Sequence, residues 1–205
     1  MRWKRGGQYM KVYVIRHGES EANRSKTYAG WAAVSLSGKG HAQAKKLGEI
    51  WGDVSFDRVY SSDLLRARQT AHDVLPNCEP ILSDKLRELN VGVLQGTSIR
   101  ENELKYGETN DKAVKYQDFS AFGGESSADI RRRVFSFMQE LEKLEGVERV
   151  AVFGHEGTVH QMIRYVLGCD MLLEHLQIDN TSCTVLAYEN GVWRLVKFNS
   201  TDVPE

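Results

Sequence analysis

Apolar residues fall in two kinds of run along this chain. Short, dense, β-branched runs predict buried strands. Longer stretches with apolar positions every three or four residues predict amphipathic helices. Lys11 to Ile15 (KVYVI) is a run of the first kind, left at Arg16-His17-Gly18. Ser37 to Trp51 is of the second kind, with Ala44, Leu47, Ile50 and Trp51 on one face and Gly52 at its end. A second strand is expected over Phe56 to Tyr60, then a helix over about Leu64 to Leu75 that Pro76 closes. Ser61, Ser62 and Asp63 offer oxygen caps for that helix. From Pro80 to Phe122 the pattern is mixed; Leu104 and Tyr106, then Val114 and Tyr116, suggest two short helices. Ser126 or Ser127 opens the clearest helix, with a stripe of Ile130, Val134, Phe137, Met138, Leu141 and Leu144. A third strand over Arg149 to Phe153 ends at Gly154-His155. The helix after it carries Val159, Met162, Ile163, Val166 and Leu167 and stops at Gly168. Last, Cys183 to Tyr188 and Val192 to Phe198 flank Asn190-Gly191, a hairpin signal, because both turn residues tolerate positive φ. The alternation predicts a three-layer α/β/α fold with a mostly parallel mixed sheet and a C-terminal antiparallel hairpin. One domain over residues 10–200 is expected, since no linker interrupts the chain.

Composition narrows the function classes. With 41% apolar and 27% charged residues, the 205-residue chain is ordinary globular material. A net charge of -1 gives no push toward nucleic acid or acidic membranes, and no apolar stretch is long enough to span a bilayer. A monomer or homodimer acting on a small molecule is expected. Met1 to Tyr9 reads as a loose basic leader. Arg131, Arg132 and Arg133 read as a solvated or salt-bridged helix face, with anion binding as the alternative. The three cysteines, Cys78, Cys169 and Cys183, are scattered and form no CxxC, which fits a reducing, cytoplasmic setting. No metal site is expected, because no HExxH and no compact His/Asp cluster occurs.

Two strands end alike, each with an apolar run followed by a histidine beside glycine: VYVIRHGES (Val12 to Ser20) and VAVFGHEG (Val150 to Gly157). Ligands of open α/β sheets gather beyond the carboxyl ends of strands, so His17 and His155 are expected to meet there. The strand over Phe56 to Tyr60 leads into SSDLLRARQTA and brings Ser61, Ser62 and Arg66 to the same rim. Arg16, Glu19 and Glu88 complete the inventory. This set suits phosphoryl transfer. Arginine forks match phosphate oxygens, a ring nitrogen can attack phosphorus, and a carboxylic acid can protonate the leaving oxygen and then activate water. His41, His72, His160 and His175 have no comparable setting and read as structural or exposed.

The segments RHGESEAN (Arg16 to Asn23), GWAAVSLSGKGHAQA (Gly30 to Ala44), FDRVYSSDLLRARQTA (Phe56 to Ala71), LREL (Leu86 to Leu89), GGES (Gly123 to Ser126) and VFGHEG (Val152 to Gly157) resemble the histidine phosphatase superfamily, also called the phosphoglycerate mutase-like family. The resemblance runs over about residues 11 to 170 in consistent order. It implies that His17 becomes phosphohistidine, that Arg16 and Arg66 clamp the phosphate, and that His155 donates to a phosphoryl oxygen. It also implies Asn23 as a further donor and Glu88 as general acid and base. Glu19 matches a motif residue without a chemical step. The chain departs from the family at Ser25 to Tyr28, where an arginine is frequent, at Ala32-Ala33-Val34, where an aspartate is frequent, and in GHEG for SHGG.

The family holds both mutases and phosphatases. The LQG and YGE pieces between Val91 and Phe119 resemble the mutase stretch, but the arginine pair that grips a second anionic group has no counterpart near Lys115-Tyr116-Gln117. Lys105, Lys112 and Lys115 are the candidate substitutes, and lysine lacks the fork. Tyr28, Trp31, Leu94 and Tyr106 are candidates for an aromatic or apolar wall, or for core. The expectation is a phosphatase of small phosphate monoesters that needs no cofactor. The alternatives are a mutase, with a 2,3-bisphosphoglycerate primer, and an inactive domain that binds phosphorylated ligands.

Overall fold

The computed structural model describes residues 8–169 and 176–202. Six strands form one sheet in the order β3-β2-β4-β1-β5-β6. They are β1 (Tyr9–Arg16), β2 (Arg58–Ser62), β3 (Ile81–Ser83), β4 (Arg149–Gly154), β5 (Cys183–Glu189) and β6 (Val192–Ser200). β1, β2, β3 and β4 pair in parallel, whereas β5 runs antiparallel to both β1 and β6. The hairpin turns at Asn190 and Gly191, with φ of 50° and 83°.

Side chains of a strand alternate between faces, so each buried strand here must feed two cores. Val12 and Val14 of β1, and Val150 and Val152 of β4, pack into one core with the stripes of α6 (Ser127–Leu141) and α7 (Glu156–Leu167). Tyr13, Ile15, Ala151 and Phe153 face the other way, onto α2 (Gly38–Trp51) and α3 (Leu65–Val74). This is the expected three-layer arrangement. The middle of the chain supplies α4 (Ile99–Tyr106) and α5 (Glu108–Tyr116). Among the described residues no helix is long and apolar enough to cross a membrane.

Four local expectations change. A five-residue helix α1 (Glu21–Ser25) follows β1, closed by a capping box between Ser20 and Asn23. The three-residue β3 lies at the sheet edge, with Ile81 and Leu82 about half exposed. Residues 1–7 of the expected leader lie outside the described residues, but Tyr9 and Met10 belong to β1, and Met10 is fully buried. Leu64, not a serine or aspartate, caps α3, with no side-chain bond.

Candidate active site

β1 and β4 are hydrogen-bonded neighbours, with Arg16 opposite Gly154. Their parallel register brings His17 and His155 together, ring centroids 5.1 Å apart and the rings edge-on. Both side chains are buried.

The hydrogen bonds fix the state of His17. Its Nδ1 lies 2.7 Å from the Gly18 carbonyl, which can only accept, so Nδ1 carries the proton. Burial holds the ring well below the usual histidine range, and Arg66 and Arg16 add to that effect. The ring is therefore neutral at pH 7, and Nε2 keeps its lone pair. Arg66 Nε, which can only donate, points at that lone pair from 3.2 Å. The polarity fits a ring whose Nε2 serves as nucleophile.

Arg66 is 1% exposed. Burial pushes its pKa down to about 10, with Glu88 opposing the shift, so it stays charged at neutral pH. Its Nη2 donates to the Gly30 carbonyl at 3.0 Å. Arg16 donates to the Ile178 carbonyl and pairs with Glu156 at 3.1 Å. Three donor-capable atoms of this group have no hydrogen-bond partner among the described residues: Arg16 Nε, Arg66 Nη1 and His155 Nδ1. Leaving such groups buried and unpaired costs about 1–3 kcal/mol each, so their convergence calls for an anionic ligand.

Glu88 sits across the cleft. One oxygen, Oε1, accepts from the backbone N–H of Leu89 at 2.8 Å and of Gly157 at 3.2 Å, on the first turn of α7. A Cβ on residue 157 would stand 2.3 Å from that oxygen, so only glycine permits the approach. Oε2 has just a 3.5 Å contact, to the same Gly157 N–H. The carboxylate is also held through its backbone, whose carbonyl accepts from Trp31 Nε1 at 2.6 Å and from Arg133 Nη2 at 3.0 Å.

Arg16, His17, Asn23, Tyr28, Arg66 and Glu88 all line one cleft of about 360 Å³. His155 is sealed beside His17 and is itself fully buried. Asn23 spends its side-chain oxygen on the α1 capping box and keeps its amide nitrogen as a donor. Lys105 and Lys115 do not line this cleft; their ammonium groups sit over Tyr106 and Tyr116, at 4.9 Å and 5.7 Å from the ring centroids. Of the wall candidates, Tyr28 reaches the cleft, Leu94 is core, Tyr106 packs on the core, and Trp31 holds the Glu88 backbone. Arg132 and Arg133 pair with Asp129 and Glu125, as a salt-bridged face should. Glu19 accepts from Ser37 and Lys39 and holds the start of α2.

One cleft residue escaped the sequence reading. His160 lines the cleft, although it read as structural or exposed. It lies four residues after Glu156, which puts both on one helix face, and that spacing was the available signal. Ser62, expected both at the rim and as a helix cap, places its hydroxyl 2.9 Å from His155 Nε2. His175 lies outside the described residues. A larger cleft of about 750 Å³ between the ends of α2 and α3 includes Lys45, Glu49, Asp53 and Cys78, but no histidine or arginine among its described lining, and it shares no lining residue with the cleft at His17.

Comparison with known proteins agrees with this geometry. The family model of the histidine phosphatase superfamily (branch 1) matches residues 12–201. A broad-specificity phosphatase of Saccharomyces cerevisiae is 30% identical over 188 residues, 87% of this chain and 80% of that protein. Phosphoserine phosphatase 1 of Hydrogenobacter thermophilus is 32% identical over 196 residues, 94% of this chain and 93% of that one. Proteins carrying a phosphoglycerate mutase name in Salmonella also match, at 28% identity. The solved structure of an alpha-ribazole phosphatase from Shigella flexneri superposes with a TM-score of 0.85 at 25% identity, over 96% of this chain and 99% of that one. With that match spanning nearly its whole length, the chain belongs to the histidine phosphatase superfamily.

Proposed function

We propose that the chain hydrolyses small phosphate monoesters through a phosphohistidine at His17. One observation carries the reading: a neutral ring with its Nε2 lone pair facing the cleft, beside three buried cationic or N–H groups that lack partners. His17 Nε2 attacks phosphorus, and the bond from phosphorus to the alcohol oxygen breaks. Glu88, in its acid form, gives its proton to that oxygen, and the alcohol leaves. The Glu88 carboxylate then takes a proton from water, whose oxygen attacks the phosphohistidine. Phosphate is released and His17 Nε2 regains its lone pair. Arg16, Arg66, His155 and the Asn23 amide hold the phosphoryl oxygens, where charge concentrates in both transition states.

These side chains supply every step, so we propose that no metal and no primer takes part. Among the described residues no three histidine, cysteine or acidic side chains cluster as metal ligands. The free cysteines fit a reducing, cytoplasmic compartment. The phosphatase names of the relatives support hydrolysis as the outcome. The test is phosphate release from p-nitrophenyl phosphate by the wild type and by His17→Ala. We expect turnover in the first and its loss in the second, with the fold retained by circular dichroism. Turnover that survives the substitution would place the nucleophile elsewhere.

A further inference from the structure

The end of the cleft away from His17 carries a different chemistry. Its apolar wall includes Tyr28, Leu89, Val114 and Phe119. Leu89 and Phe119 are buried, while Val114 is 49% exposed at the cleft, an apolar surface left for a ligand to cover. The polar partners there carry no fixed charge. Gln117, just past the end of α5, donates from Nε2 to His160 Nδ1 at 3.0 Å, and its Oε1 accepts from Gln161 at 3.1 Å. His160 donates from Nε2 to the Leu176 carbonyl at 2.9 Å, which leaves Nδ1 as an acceptor and the ring without spare protons. One Gln117 N–H remains for a ligand. Tyr28 donates its proton to Asn110 at 3.0 Å and keeps a lone pair.

The charges tell the same story. Among the described residues lining the cleft the only arginines are Arg16 and Arg66, and there is no lysine. The phosphoryl group uses both arginines. The fixed anions left are Glu88 and Glu156, the latter already against Arg16. A second anionic group on the substrate would meet carboxylates with no spare cation among the described residues of the lining.

Building on the phosphatase reading, we propose that this enzyme selects monoesters of neutral alcohols. The preferred leaving alcohol has an apolar face and a hydroxyl or amide for Gln117. Alcohols that carry a carboxylate or a further phosphate are disfavoured, and Gln117 is the specificity-determining residue. A neutral amide there satisfies a hydroxyl, whereas a carboxylate would need the fork that arginine provides.

The experiment compares kcat/KM within two matched pairs: glycerol 3-phosphate against 3-phosphoglycerate, and phenyl phosphate against 4-carboxyphenyl phosphate. The members of each pair differ in one carboxylate. The neutral member should be favoured by about tenfold or more, the size of a single unpaired charge contact. The glycerol 3-phosphate to 3-phosphoglycerate ratio should fall in Gln117→Arg and rise in Gln117→Glu. Equal or better hydrolysis of the carboxylated members would overturn the substrate class. Ratios that do not move with the charge at residue 117, in variants that still turn over phenyl phosphate, would overturn the role of Gln117. No phosphate released from any of the four esters would overturn the phosphatase reading itself, and this inference with it.

Discussion

A neutral imidazole has one N–H, and where it points decides whether the ring attacks or donates. In His17 the Gly18 carbonyl accepts a hydrogen bond from Nδ1–H and so leaves the Nε2 lone pair free. His155 needs the same tautomer for a different end, a proton on Nδ1, the nitrogen without a partner among the described residues. Burial first, then Arg66 and His17, hold its pKa well below the usual range, so it too is neutral and must choose one tautomer. Ser62 makes that choice possible. Its hydroxyl oxygen accepts from the Leu64 N–H at 3.3 Å, and its own proton is free to go to His155 Nε2. Ser62→Ala should therefore lower kcat/KM by about 10–100-fold through loss of this buried hydrogen bond. The ¹⁵N shifts of the His155 ring should report a change in tautomer, a signal that packing loss alone would not produce. An unchanged tautomer with lowered activity would make Ser62 a packing residue. His17, Arg16 and Arg66 were legible because a histidine or arginine at a strand end, beside glycine or after serines, is unusual. The place of Ser62 at the rim was legible too, but not its bond to His155, because a serine before a helix reads equally well as a cap.

Among the elements, the stripes of α6 and α7 and the β-branched runs of β1 and β4 were legible, since burial on one or both faces writes itself as periodicity. α1 has five residues and β3 three, too short for any period to emerge. Two contacts that the sequence did not advertise fix the loop after His17. Thr70 on α3 accepts from the Gly18 N–H at 3.1 Å and donates to the Arg66 carbonyl at 2.7 Å, tying the loop to the helix that carries Arg66. From the other side, α2 packs its glycine directly on the loop backbone. A Cβ on residue 40 would lie 2.0 Å from the Glu19 carbonyl oxygen, two residues from His17. Gly40→Ala must move one of these two backbones. We expect a loss of about 1–3 kcal/mol in stability, the usual range for overpacking, seen as a lower urea midpoint. Activity of the folded fraction should fall as well. A variant with wild-type midpoint and turnover would show that the contact is slack.

For the whole molecule, the choice between hydrolysis and isomerisation depends on what surrounds the phosphohistidine. A mutase retains an intermediate with two anionic groups, lets it turn over, and keeps water away meanwhile. Retention needs a second cationic subsite. Here Lys112 pairs with Glu108, Arg132 and Arg133 pair with acidic neighbours, and neither Lys105 nor Lys115 lines the cleft. Exclusion of water needs a cover. The middle of the chain offers α4 and α5, of 8 and 9 residues, and Val114 on α5 stays about half exposed at the cleft itself. The deprotonated Glu88 can thus meet water before a reoriented bisphosphorylated intermediate could form. Given 3-phosphoglycerate and 2,3-bisphosphoglycerate together, the enzyme should release inorganic phosphate faster than it makes 2-phosphoglycerate. It should also hydrolyse neutral monoesters with no primer present. The two products are separable by ³¹P NMR in one reaction. Primer-stimulated isomerisation with little phosphate released would reverse the assignment, and it would require a second anion site formed by residues that the described structure keeps away from the cleft.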